Sequence, residues 1–211
     1  DSYCSCSGGS GSGEESINSM QRCVKCNREV LIKMSTDLVR DKRKSLLFEI
    51  GNKLDVFAEK HERLDQHFIS LKTILNLGEH LKRRREQKEI VVDNDLFQKL
   101  TAYLESVRGK VAALDEIAQR VSVGLAELER LRDIARTCSS LAALNGCENR
   151  LGEIVLDPES LSRIDMPIED NQYVVNFEKN ANCEMNRLGD DAKLIDIIGA
   201  LKKDCEFAEN K

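Results

Sequence analysis

The sequence predicts an all-α protein: an elongated antiparallel helical hairpin of coiled-coil type, with a shorter C-terminal helix packed at its base and disulfides stapling the ends. Three observations lead there. Two apolar seams run in steps alternating three and four, first Leu47, Ile50, Leu54, Phe57, His61, Leu64, Phe68, Leu71 and Leu75, then Leu104, Val107, Val111, Leu114, Ala118, Val121, Leu125 and Leu128. That spacing lines one stripe of a helix, and such a stripe is buried only against another. The composition agrees, with 33% charged residues, 4% aromatic, no Trp and two Pro, which suits long helices and not sheets. Finally, the eight cysteines fall into two separate groups of four.

Taken in chain order, residues 1–15 (DSYCSCSGGSGSGEE) hold too much Ser and Gly for a helix or a core and read as a flexible leader. Residues 16–145 are expected to form the hairpin, with helices at about 16–88 and 95–144. Ser16 or Asn18 can cap the first helix, and Ile17, Met20, Val24, Leu31, Met34 and Leu38 keep the helical step. The run Arg40-Asp41-Lys42-Arg43-Lys44 shifts the phase without ending the helix. At ~1.5 Å per residue this helix is on the order of 100 Å long. Asp93 or Asp95 can open the second helix by accepting from its free amides, and Asn145-Gly146 can close it in a left-handed turn.

Facing positions of two antiparallel helices add to a constant. With the constant at 182, every seam residue from Leu54 (with Leu128) to Leu75 (with Val107) finds a partner, and the midpoint falls in the loop between the helices; a register shifted by one heptad and an intermolecular coiled coil are the alternatives. Residues 146–211 then supply a connector and the last helix. Asp157-Pro158-Glu159 opens a short helix that Met166-Pro167 closes. Tyr173 to Leu188 reads as mixed, with Val174, Val175 and Phe177 in a brief strand-like or irregular stretch, and Gly189-Asp190-Asp191 as a stop followed by a cap. The final helix, with Leu194, Ile195, Ile197, Ile198 and Leu201, is apolar over so wide a face that it needs a partner; the hairpin base is the expected one.

The cysteines are Cys4, Cys6, Cys23 and Cys26, then Cys138, Cys147, Cys183 and Cys205. Disulfides account for all eight, and a helical protein in a reducing compartment has little use for so many. The expected location is therefore secreted or extracellular, with cytoplasmic as the alternative. In the proposed register Cys138 lies level with Lys44, roughly 27 Å along the helix from Cys26, far beyond the ~7 Å that a disulfide tolerates between Cα atoms. Cys138 is thus expected to bond downstream, to Cys147, Cys183 or Cys205, and the later four to pair among themselves, with a bond from Cys147 to Cys23 or Cys26 as the alternative. Alternatively, Cys4-x-Cys6 and Cys23-x-x-Cys26 could close a tetrahedral zinc site, although the first pair is narrower than usual and its surroundings offer no framework. The sequence begins at Asp1 and not Met, which accords with signal-peptide removal and equally with an excised fragment. It contains no Asn-x-Ser/Thr acceptor.

A formal charge of −5 provides no field that would steer phosphate, so nucleic acid is not an expected partner. No apolar run reaches the ~18 residues of a membrane span. The cluster Lys82, Arg83, Arg84, Arg85 and Lys88 could grip an anionic polysaccharide or an acidic protein; equally, cations at a helix C-terminus simply offset its dipole. His61, the polar member of the first seam, is expected to be partly buried and to reach solvent or a neighbouring carboxylate, a metal or haem ligand or a pH switch being the alternative, with His67 and His80 on the surface. Motifs for metalloprotease, hydrolase or phosphate-loop chemistry do not occur, so no enzyme, cofactor or catalytic residue is expected.

The functional expectation is a non-enzymatic, secreted or surface-exposed protein that engages a macromolecular partner along a helical surface. Its expected shape alone is similar to that of exported host-interaction hairpins, and no motif carries the likeness further. The alternative is an intracellular coiled-coil scaffold or assembly subunit with a small four-cysteine zinc clip.

Overall fold

The computed structural model describes the backbone of residues 13–209 and the side chains of residue 24 and residues 26–202. Cys4 and Cys6, most of the expected leader, and the side chains of Cys23 and Cys205 lie outside the described residues, and the zinc clip with them. The described chain is all helical: α1 (Gly13–Glu86), α2 (Asn94–Thr137), α3 (Leu141–Glu153), α4 (Pro158–Ile164) and α5 (Gln172–Glu209). The expected leader boundary falls late, because α1 already includes Gly13, Glu14 and Glu15. Two compact units divide the chain. One takes the described residues up to Ala58 together with Ser122–Leu156, the other Glu59–Val121 together with the chain from Asp157 onward.

In the first unit, Leu46, Ile50 and Phe57 of α1 are buried, as are Leu128, Leu131 and Ala135 of α2 and Leu144, Cys147 and Leu151 of α3. Gly124 is there because the Phe57 ring lies on its backbone: a Cβ would stand 2.3 Å from Phe57 Cε1. The second helix ends at Thr137, short of the expected 144. Ser140 accounts for the break, since it adopts an extended backbone and its hydroxyl accepts from Ala143 N at 3.4 Å, starting α3. Asn145-Gly146 consequently sits inside α3, with no glycine at positive φ among the described residues. Arg43 donates to the Cys138 carbonyl that the break frees, Lys42 pairs with Glu148, and Lys53 Nζ donates to Leu151 O at 2.7 Å. Burial pushes the Lys53 ammonium below its ordinary value, while the Glu49 carboxylate opposes the shift.

In the second unit α1 and α2 are in contact. Gly78 lies against Leu104, whose Cδ2 would be 2.4 Å from an added Cβ, and Glu79 pairs with Arg108. The turn is a Schellman closure: Lys88 N donates to Arg85 O at 3.0 Å and Glu89 N to Arg84 O at 2.9 Å. Lys88 holds the left-handed position, with φ 61°, that usually goes to glycine. Asp157 caps α4 by accepting from Ser160 N at 3.0 Å, with Pro158 at the first helical position. The core of this unit takes Leu71 and Ile74 from α1, Leu104 and Val107 from α2, Ile164 from α4, and Val174 and Phe177 from α5, all of them buried.

Two close contacts between α1 and α2 join residues whose numbers add to 181 (Phe57, Gly124) and 182 (Gly78, Leu104). One row of the first seam is displaced by a residue from the sequence expectation. Phe57, Leu64 and Leu71 are buried, but the alternate row runs through Leu46, His67, Ile74 and Leu81, while Leu54, His61, Phe68 and Leu75 stay half exposed. In each unit a third segment causes this by covering one flank of α1. Lys53 and Lys60 occupy the same row and reach Leu151 O and Asp165 at 2.7 Å each. His67, expected on the surface, is buried with its Nε2 2.8 Å from Ile164 O, whereas His61 keeps a partly exposed place 3.6 Å from Asp65.

Three further expectations are corrected. Among the described residues no disulfide staples the later cysteines: Cys138, Cys147 and Cys183 carry free thiols, with Cys147 buried in α3 and Cys183 exposed on α5. Burial, and then the nearby Cys138, push the Cys147 thiol up. The strand-like stretch and the Gly189 stop are both helical, because α5 runs unbroken from Gln172 to Glu209. And α5 belongs to the unit containing the turn between α1 and α2, not to the one containing the expected base.

Candidate functional site

Helix α5 is two surfaces in succession. Its entry is braced by Glu169, whose Oε2 accepts from Lys110 Nζ at 2.6 Å and whose Oε1 accepts from Tyr103 OH at 3.0 Å, while Ser70 Oγ donates to its carbonyl. Tyr103 also stacks on Tyr173, with ring centroids 4.4 Å apart. Burial, followed by the hydrogen bond to Glu169, pushes the Tyr103 phenol up to about 12, so it remains a neutral donor across the ordinary pH range. Beyond the brace, Val174, Phe177 and Ala181 are buried, and Glu178 meets Arg84 at 3.2 Å.

After Met185 every described residue of the helix is exposed. Leu188, Leu194, Ile195, Ile197, Ile198 and Leu201 are all exposed, Ile195 by 68% and Leu201 by 59%. Five of these six fall between Leu194 and Leu201, on a helix that continues regardless. Scattered exposed leucines need no explanation, but a contiguous apolar face of this kind marks a contact surface. In the other unit, α1 has a comparable stretch with Val24, Leu31, Met34 and Leu38 exposed.

Two larger concavities lie in the unit that contains α5, the second of them lined by that helix. One, of about 370 Å³, has His67, Leu71 and Leu114 beneath it and Lys110, Arg163 and Glu169 at its rim. Glu169 and Glu159 already pair with those two cations. The other, of about 660 Å³, runs between Val91, Val92 and Leu96 on one side and Phe177, Cys183 and Leu188 on the other, and leads onto the exposed stretch.

The basic cluster expected at the end of α1 is dispersed around the helix. Lys82 lies 3.8 Å from Glu79, Arg84 joins Glu89 and Glu178, and Arg85 stacks over Phe97 at 3.9 Å. Arg83 and Lys88 are exposed, and Lys88 serves the turn through its backbone. Among the described residues no group of three or more His, Cys, Asp or Glu could hold a metal ion, and no helix is long and apolar enough to cross a membrane. Sequence reasoning misses the Glu169 brace, for which no local pattern exists. It does see the apolar face of α5, though it places a partner there from within the chain.

No protein-family model, curated protein or solved structure matches the chain.

Proposed function

We propose that this is a non-enzymatic assembly protein that holds a macromolecular partner, itself protein, against the outer half of α5. One observation carries the reading: a helix anchored at its base by the Glu169 brace and Phe177 presents five large apolar side chains between Leu194 and Leu201 to solvent. An amphipathic helix with an uncovered apolar face recognises another apolar face. The antiparallel hairpin expected from the two seams belongs to the same proposal. A polysaccharide partner is less well supported, because acidic neighbours or an aromatic ring take up three of the five cations proposed for it.

The expectation of secretion rests on disulfides. With Cys138, Cys147 and Cys183 carrying thiols, the scaffold alternative in a reducing compartment is the better supported of the two. Intact mass before and after reduction tests this: an unchanged mass is expected, and a gain of about two hydrogens per bridge would restore the extracellular reading.

The binding reading is tested by placing a photo-crosslinking amino acid at Ile195, with Gly152 in the other unit as control. Protein adducts from position 195 that are absent from position 152 support it. Equal or absent adducts at both would overturn it.

A further inference from the structure

We infer that the occupant of the α5 stripe is the same stripe of a second copy, lying antiparallel. The inference rests on the proposed function and names its partner. Leu188, Asp191, Ile195, Ile198 and Lys202 follow steps of three, four, three and four, and so form a seam, with Leu194 and Leu201 beside it. All lie on one helix, α5, and all are exposed.

The two charges in this seam choose among partners. In a parallel pair each seam residue faces its own copy, so Asp191 would meet Asp191 and Lys202 would meet Lys202, two like-charge contacts next to an apolar core. In an antiparallel pair, facing positions add to a constant. The constant that sets Ile195 against Ile198 also sets Asp191 against Lys202. Both charges are then matched twice across a two-fold axis, flanking an isoleucine centre, and Leu194 approaches Leu201 at the side. A self-complementary patch of this kind is what an isologous two-fold contact requires. For an unrelated partner, such internal matching between the two ends of the stripe would have no use.

The test is sedimentation velocity of the whole chain, under reducing conditions, from about 1 to 100 μM. The variants are Asp191→Lys, Lys202→Asp and the double exchange. All three change exposed positions, and circular dichroism checks that helix content is kept. A reversible dimer is expected, weakened about tenfold or more by either single exchange and restored by the double one. A chain that stays monomeric throughout would overturn the inference; the proposed function would still stand if Ile195 crosslinks to other proteins and would fall if it crosslinks to none. A dimer indifferent to the single exchanges, or not restored by the double one, would overturn the antiparallel register.

Discussion

The two halves of α5 share a helix and a similar apolar content, yet one is core and the other surface. Val174, Phe177 and Ala181 are covered by the elements around them, whereas Leu194, Ile195, Ile198 and Leu201 are not. The difference teaches that hydrophobic spacing records where a helix can be buried, and not what buries it. The first half has the Glu169 brace and Arg84 to hold it down; the second has only its own chemistry to declare a partner.

The largest effect should separate covered from bare positions. Phe177→Ala is expected to cost roughly 3 kcal/mol in urea unfolding, as for other buried aromatic truncations, while Ile195→Ser should change stability by less than about 0.5 kcal/mol where the chain is monomeric. Equal costs would erase the contrast between the halves. Next comes Gly124→Ala, which forces a methyl into the Phe57 ring and should cost about 1–3 kcal/mol. The same change at Gly189, with no atom near its missing side chain, should gain about 0.5–1 kcal/mol from helix propensity.

Lys88→Gly should stabilise by about 1 kcal/mol, since glycine suits the left-handed turn position better; a loss would mean that the lysine side chain holds the turn. The smallest effect concerns acid. Hydrogen bonds from Arg130 and then Arg150 hold the Glu127 carboxyl at about 2, below its ordinary 4.5. A lowered folded value gives stability above pH 4.5 that is lost as pH falls toward 2. Thermal melts of Glu127→Gln should therefore show a shallower decline over that range than the parent, by a modest amount because the group is exposed.

Much of this architecture was legible. Helical periodicity announced α1 and α2, and Asp157-Pro158 announced α4, because capping and apolar spacing are local chemistry. The true buried row of α1 was hidden because it passes through Lys53, Lys60 and His67, which look polar until other segments supply carbonyls and a carboxylate to receive them. The α2–α3 break could not be placed from composition because Asn145-Gly146 is a stronger end signal than Ser140, whose extended backbone ends the matter locally. Glu169 is 66 residues from Tyr103 and 59 from Lys110, so their meeting had no signature to read. The cysteine count suggested staples, and spacing alone could not tell bridged sulfurs from the free thiols at Cys138, Cys147 and Cys183.

Amide hydrogen exchange followed as a function of protein concentration tests the central claim most directly. Residues 172–181 should be equally protected at every concentration, and residues 188–201 should gain protection as concentration rises, a gain abolished by Ile195→Asp. Protection of 188–201 that is already complete in dilute solution, or that never changes, would contradict the account.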